Sequence, residues 1–399
     1  MEYSTLSKEL TSKLSKDAKK QDGIYFTPPA FVKKNIQLLQ PYLSAESHIL
    51  EPSCGSGEYI TALRDAVPTT HITGVEYNDV IYDSIVGMNS DQTRIVHADF
   101  LKYETDQRFD CIVGNTPYYV MKKADVPKTY HPYFVGRPNI FIPFIIKSSL
   151  MLKDGGVMSF VLPKNFLNCL YYDKTRKYIA SQFQILHIVE CHDKYIDTQQ
   201  DTILLIVQKS DVVDNKIFIL ENEYTVFVLV ESHAAMTGLY KNSKTLSELG
   251  FQAVVGNVVW NQCKNILTDD TTKTRLIYSS DIVNNSLVQK TYNNKDKKNY
   301  INKPGIRCPL IVLNRGYGVG TYKFNYCLID EPFEYLIENH LICIEHTVEM
   351  KKKDLIAAYK KIIASFNDPR TAEFIQLYFG NNAVNTTELN NILPIYQDI

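Results

Sequence analysis

The sequence predicts an α/β fold: a doubly wound, mostly parallel seven-stranded sheet with a reversed edge strand, followed by a mixed α+β domain. Three observations carry this. From His48 to about Lys209, short β-branched runs alternate with amphipathic segments, as in strand–helix–strand units. The last two of these runs are joined by a loop too short for a helical crossover, so they pair antiparallel. Beyond Lys209 the alternation fades into sequence rich in Asn, Tyr and Lys. The boundary is expected near 211–222, with domains at 1–215 and 216–399.

In order, strands are expected at His48–Glu51, His71–Glu76, Arg94–His97, Phe109–Gly114, Val157–Leu162, Ile185–Glu190 and Thr202–Gln208. Helices are clearest at Gly57–Ala66, Ile140–Leu152 and Asp173–Phe183. The second domain offers strands at Thr225–Val230, Leu310–Asn314 and Leu341–Ile344, with helices at Lys352–Ser365 and Thr371–Tyr378.

The chain has 399 residues, 45% hydrophobic and 22% charged, which suits two globular domains. No apolar stretch reaches the roughly 20 residues that span a bilayer; Asn139–Leu152 is short and carries Lys147. The lysine-bearing N-terminus (Lys8, Lys13, Lys16, Lys19, Lys20) lacks the apolar core of a signal peptide, so a cytoplasmic protein without a membrane partner is expected. Eight cysteines without a C-x-x-C pair point to reduced thiols and no metal site. A net charge of −1 does not advertise nucleic acid, although Lys122-Lys123 and Lys290 to Lys303 are local basic excesses.

The chemistry begins where the first strand ends, in Glu51-Pro52-Ser53-Cys54-Gly55-Ser56-Gly57. Gly55 and Gly57 permit a sharp turn and close approach to a ligand before a helix starts. About 20 residues on, Glu76 ends the second strand and Tyr77 follows it, where a carboxylate can accept hydrogen bonds from ribose hydroxyls. Together they indicate a nucleoside-containing cofactor. At the end of the third strand, Asp99 could accept from an adenine amino group while Phe100 covers the ring.

The fourth strand delivers Asn115-Thr116-Pro117-Tyr118. An exocyclic amino nitrogen on a purine is a poor nucleophile, because its lone pair is delocalised into the ring. Two acceptors on its hydrogens free that lone pair for in-line attack on a methylsulfonium. The Asn115 amide oxygen and the Thr116 carbonyl can be those acceptors. Pro117 stiffens the turn, and Tyr118 offers a face on which a base can stack.

Here the sequence resembles the γ-class amino-methyltransferases of restriction-modification systems, specifically the N6-adenine enzymes, over most of residues 20–210. The parts follow the family's order: Gly23-Ile24-Tyr25-Phe26-Thr27-Pro28-Pro29, then the Glu51–Gly57 turn, Glu76, Asp99-Phe100 and Asn115–Tyr118. The resemblance implies S-adenosylmethionine as cofactor, with Tyr25, Thr27, Pro28, Asn115 and Pro117 among its contacts and Thr27 on the methionine carboxylate. It also implies a second aromatic over a flipped adenine, which falls on Tyr195 in Asp193–Thr198. The second domain then resembles a target-recognition region in Val255–Asn261, Pro309–Gly316 and Leu389–Pro394. Candidate DNA contacts there are Arg275, Lys290, Asn314 and Arg315, with the Lys290–Lys303 lysines meeting phosphates. The implied partners are duplex DNA, held in the cleft between the domains, and a cognate restriction endonuclease.

One position departs from the family: Thr116 stands where it has a first proline. That moves the motif towards the Asn-aliphatic-Pro-aromatic form of ribosomal RNA adenine dimethyltransferases and keeps an RNA substrate open. Protein-glutamine methyltransferases share such a loop but lack so long a C-terminal half. A catalytically silent binding protein is the remaining alternative, against which Asn115 and Glu76 stand intact.

Overall fold

In a computed structural model of the chain, described for residues 2–193, 195–198, 200–221, 224–315, 324–379 and 384–399, seven strands make one sheet. They are β1 (His48–Glu51), β2 (His71–Glu76), β3 (Thr93–His97), β4 (Phe109–Asn115), β5 (Leu152–Pro163), β6 (Phe183–Cys191) and β7 (Thr202–Lys209). Their order across the sheet is β3-β2-β1-β4-β5-β7-β6. Neighbours from β3 to β5 pair parallel, while β7 runs antiparallel to both β5 and β6. The reversed strand therefore lies one place in from the edge, and β6 forms the edge itself. Burial explains the exchange: β7 is buried without interruption from Thr202 to Val207, whereas β6 mixes buried and half-exposed positions.

Helices α1 (Thr5–Lys13), α2 (Lys16–Asp22), α3 (Pro29–Leu39), α4 (Glu58–Ala66), α5 (Asp79–Ile85), α6 (Phe141–Met151) and α7 (Asp173–Gln182) accompany the sheet. Ser4 and Ser15 cap the starts of α1 and α2, and Gly23 ends α2 in the left-handed region at φ +67°. Pro29 opens α3, where a missing N–H costs nothing. One buried cluster includes Leu50, Ile112, Phe141, Phe160 and Leu205; another includes Phe31, Ile36, Ile49, Ile60 and Val113. Strands β1, β2 and β4 to β7 thus contribute to cores on both faces, as a largely parallel sheet requires, while β3 adds Ile95 to one of them.

Contacts divide the chain into units of residues 1–233 and 234–399. The first unit runs past the expected boundary at 215, because the hairpin of β8 (Ile219–Glu221) and β9 (Thr225–Phe227) is tied to α7. The Thr225 N–H donates to Asp173 at 2.8 Å, and the buried Arg176 guanidinium donates to the carbonyls of Thr225, Phe166 and Cys169.

The second unit is mixed α+β. Its larger sheet runs Phe251–Val255, Leu341–His346, Leu310–Asn314, Tyr326–Ile329, all antiparallel. A smaller one runs Leu267–Thr268, Tyr300–Ile301, Thr274–Ile277, Tyr335–Ile337, closed by a parallel pair. Helices follow at Lys352–Asn367 and Pro369–Phe374, the latter continuing into a π turn over Ile375–Phe379. No helix among the described residues is long and apolar enough to cross a membrane.

Candidate active site

The carboxyl ends of β1 to β4 carry the expected turns, at the point where the strand order reverses between β1 and β4. After β1, Gly55 and Gly57 take φ values of +49° and +72°, and Gly57 caps α4. The Glu76 carboxylate closes this turn: Oε2 accepts from the Gly55 N–H at 2.9 Å and Oε1 from the Asn78 N–H at 2.8 Å. Asn78 in turn caps α5 by accepting from the Val80 and Ile81 N–H groups. One carboxylate therefore sets the geometry of two strand-to-helix turns.

Beside it lies an open cavity of about 480 Å³ lined by Asp22, Tyr77, Asn78, Asp79, His97, Ala98 and Asp99. Tyr77 and Asp99 belong to the expected set. Asp22, Asp79 and His97 were not anticipated, although Asp22 directly precedes the Gly23–Pro29 segment and His97 directly precedes Ala98-Asp99. Phe100, expected over the cofactor ring, turns into the core instead. It packs on Phe144, with the Lys147 ammonium 5.4 Å from its ring centre. Lys147 also donates to the carbonyls of Leu101 and Tyr103, so α6 anchors the loop after β3.

Glu51 is 2% exposed, and its Oε2 finds no hydrogen-bond partner among the described residues. Burial pushes its carboxyl well above the usual range, and the carboxylates of Glu76 and Glu58 push the same way. Burial also raises Glu76, against the backbone N–H groups that it accepts. Two buried carboxyls, one with an orphaned oxygen, form a site that a cation would relieve. That suits a cofactor with a sulfonium and an ammonium group. The turn's Cys54 is buried, and its thiol is pushed up by burial and by Glu51. Thr27 and Pro28 are buried at the start of α3, and Pro52 lies buried beside Glu51.

The Asn115–Tyr118 loop is joined to both the Glu51–Gly57 turn and the Gly23–Pro29 segment. Ser53 Oγ donates to the Asn115 carbonyl at 2.8 Å. Asn115 Nδ2 donates to the Tyr25 carbonyl at 2.7 Å, so the amide oxygen is the end left to act as acceptor. That oxygen receives the Tyr118 hydroxyl, which also lies 2.7 Å from the Val161 carbonyl. The Tyr118 ring stacks towards Tyr25, centres 6.4 Å apart, and meets the edge of Phe141. Thr116 is buried, and its hydroxyl finds no partner among the described residues. Pro117 is half-buried beside it.

Tyr195 does not present a free face. Its ring is buried among Cys191, Leu204 and their neighbours, with its hydroxyl 3.1 Å from Thr202 Oγ1. In this conformation the structure brings Asn115 and Tyr118 together and holds Tyr195 inside the core.

In the second unit, Arg275 is turned inward, with its guanidinium 5.3 Å from the Phe333 ring centre and Nη2 donating to the Val288 carbonyl. Lys290 and Arg315 are exposed, and Asn314 ends a strand of the larger sheet, half-buried. The Lys290–Lys303 lysines are not equivalent. Lys297 lies 4.1 Å from the ring centres of both Tyr278 and Tyr292, and Lys298 pairs with Asp269, whereas Lys295 and Lys303 are exposed. Gly316 and Lys194, within two of the expected motifs, lie outside the described residues.

Comparison with known proteins bears on this arrangement. Residues 59–197 match the family model described as Eco57I restriction-modification methylase. The type II methyltransferase M.CvrRI of Paramecium bursaria Chlorella virus XZ-6E is 26% identical, over 98% of each chain. The modification methylase CviBIII of Paramecium bursaria Chlorella virus NC1A is 30% identical, over 52% of this chain and 55% of its own, so the match spans about half of that relative. A cryo-electron-microscopy structure of a DrdV–DNA complex shares the fold with a TM-score of 0.54 at 12% identity, over 95% of this chain and 56% of that one. The ordered motifs, the seven-stranded sheet and these matches identify residues 59–197 as a restriction-modification methylase region and make the chain similar over its length to a type II methyltransferase, with S-adenosylmethionine as methyl donor.

Proposed function

We propose that this enzyme methylates the exocyclic N6 of an adenine turned out of duplex DNA. One observation carries the reading: the Asn115 amide is pinned at Nδ2 by the Tyr25 carbonyl, which leaves Oδ1 as a fixed acceptor at the carboxyl end of β4. DNA as substrate is supported by the restriction-modification match and by the named activity of the chloroviral relatives.

S-adenosylmethionine supplies a methyl group on a cationic sulfur. Glu76, held by the Gly55 and Asn78 N–H groups, would accept from the ribose, and the Glu51 carboxylate would face the cationic end. Asn115 Oδ1 would exchange the Tyr118 hydroxyl for one amino hydrogen of the base, and the Thr116 carbonyl would take the other. Holding both hydrogens localises the nitrogen lone pair, and the methylated nitrogen then sheds one proton to water. No strong base is needed; positioning does most of the work. Tyr118, freed from Asn115, and Tyr195, freed from Thr202, would cover the two faces of the extruded base.

Thr116 favours one second reading, an adenine in structured RNA. Labelled methyl incorporation into duplex DNA and into structured RNA, followed by digestion to nucleosides, separates the two. N6-methyladenine from DNA supports the proposal, and label confined to RNA or to cytosine overturns it.

A further inference from the structure

The N-terminal helix pair touches three loops of the site. On α1, Ser7 Oγ lies 2.8 Å from Ser56 Oγ and 2.6 Å from Glu58 Oε1, and Ser4 Oγ lies 2.6 Å from the same carboxylate oxygen. These contacts hold the cofactor turn. At the end of α2, Gly23 packs directly against the Tyr118 backbone: a Cβ there would sit 2.5 Å from the Tyr118 nitrogen. Between these points α2 carries Lys19, which is 6% exposed. Its Nζ donates to Asp197 Oδ2 at 2.8 Å and to the Thr11 carbonyl at 2.9 Å. Asp197 lies in the loop between β6 and β7, two residues beyond Tyr195.

An ammonium buried to this degree is costly unless its hydrogens are taken up, so removing the more exposed Asp197 would strand Lys19. The lysine ties α2 back to α1 through Thr11 and ties both to the β6–β7 loop through Asp197. A seven-residue helix thus fixes the backbone beside Tyr118 at one end and the loop of Tyr195 at its middle.

We propose that Lys19 is a positioning residue for base capture: through Asp197 it sets the β6–β7 loop, and with it Tyr195, in register with the catalytic loop that Gly23 abuts. The proposal rests on Tyr118 and Tyr195 as the base-covering residues. Loss of the Lys19–Asp197 pair then weakens capture of the base while the cofactor turn, held separately by Ser7 and Glu76, keeps its affinity.

The test uses the full chain as Lys19→Met, Lys19→Arg, Asp197→Asn and the Lys19→Met/Asp197→Asn double variant. The probe is a duplex carrying 2-aminopurine at the position where modification-sensitive sequencing locates the methyl group. Its fluorescence reports base extrusion, calorimetry gives the S-adenosylmethionine affinity, and thermal unfolding reports integrity. Lys19→Met and Asp197→Asn should each lower the extrusion equilibrium and raise the KM for DNA about tenfold, between the effects of exposed and fully buried pairs. The double variant should lose no more than either single one, because both remove one interaction. Lys19→Arg should restore most of the loss, and cofactor affinity should change less than about threefold. A lower Tm with unchanged extrusion and KM in Lys19→Met overturns the proposal and leaves the pair as a fold stabiliser. If the wild-type enzyme extrudes no 2-aminopurine and methylates no adenine, the underlying functional reading fails instead.

Discussion

Gly23→Ala tests whether the N-terminal segment sets the position of the catalytic loop. Gly23 sits at φ +67°, where a side chain costs about 1–2 kcal/mol. The added Cβ would also stand 2.5 Å from the Tyr118 nitrogen and 3.1 Å from its carbonyl carbon and oxygen. These are backbone atoms, so no side-chain rotation relieves the overlap. The loop must retreat by about 1 Å to restore ordinary contact, and a misplacement of that size costs roughly a hundredfold in rate. Single-turnover methyl transfer at saturating cofactor measures the rate, with calorimetry for cofactor affinity and urea unfolding for stability. Gly155→Ala is the control. Gly155 has φ +76° and nothing within 4 Å of its added Cβ, so it incurs the backbone cost without displacing anything. We expect both variants to lose about 1–2 kcal/mol of stability from φ alone and only Gly23→Ala to lose rate. A Gly23→Ala rate within threefold of wild type, or an equal loss in Gly155→Ala, refutes the reasoning.

Asn115→Ala should abolish transfer while S-adenosylmethionine still binds by calorimetry; retained turnover removes Oδ1 from the mechanism. Tyr118→Ala should weaken extrusion of 2-aminopurine by about 1–3 kcal/mol, whereas Tyr118→Phe, which keeps the ring, should lose little. Thr116→Val removes a buried hydroxyl that has no partner among the described residues. It should leave turnover intact and raise stability by about 1 kcal/mol in urea unfolding, because only the backbone carbonyl is assigned a role. Glu388 in the second unit, buried beside Asn385, has its carboxyl pushed up from 4.5 to about 7, chiefly by burial. The folded state then holds that proton more tightly, so its contribution is full below pH 4.5 and falls as pH rises through 7. Glu388→Gln should match wild type near pH 4 and exceed it by about 3 kcal/mol at pH 8; a constant difference across pH unfolding curves would rule this out.

The sheet and the place of Asn115–Tyr118 at the end of β4 were legible in the sequence because both are written locally. β1 and β2 fall where their apolar runs stand, at His48–Glu51 and His71–Glu76, and Asn115 ends β4 as its position after an apolar run required. What was not legible depends on partners distant in the chain. Periodicity identifies β6 and β7 as strands, but which one takes the inner place depends on how each buries against β5. Phe100 follows a strand end in sequence, yet Phe144 and Lys147, more than forty residues on, draw it inward. Tyr195 is a loop aromatic by sequence and a core residue by its burial and its hydroxyl's bond with Thr202. Lys19 looked like one more solvated lysine, because Asp197 lies 178 positions away.

The bond between Tyr118 and Asn115 bears on specificity under the proposed reading. A buried acceptor left unpaired costs about 1–3 kcal/mol. In the free enzyme the one Tyr118 hydroxyl hydrogen lies between Asn115 Oδ1 and the Val161 carbonyl, so it can satisfy the amide oxygen until a base arrives and then turn to Val161. An entering amino group replaces one hydrogen bond with another, and the net change at Oδ1 is small. A base with an oxo group at the same position has no hydrogen to give. It would displace the hydroxyl only to set oxygen against oxygen at both Asn115 Oδ1 and the Thr116 carbonyl, leaving two acceptors unpaired. Sites built on such polar matching reject the mismatched analogue by roughly 10⁴-fold or more, far beyond what shape alone achieves. Nδ2 makes the arrangement directional: because it is bound to the Tyr25 carbonyl, the amide cannot flip to offer a donor to the oxo base without breaking that bond. Under this reading the N-terminal segment, through the Tyr25 carbonyl, helps govern which base is accepted. A duplex with hypoxanthine in place of the target adenine should therefore be extruded and held far less well than one with 2,6-diaminopurine, which keeps the 6-amino group.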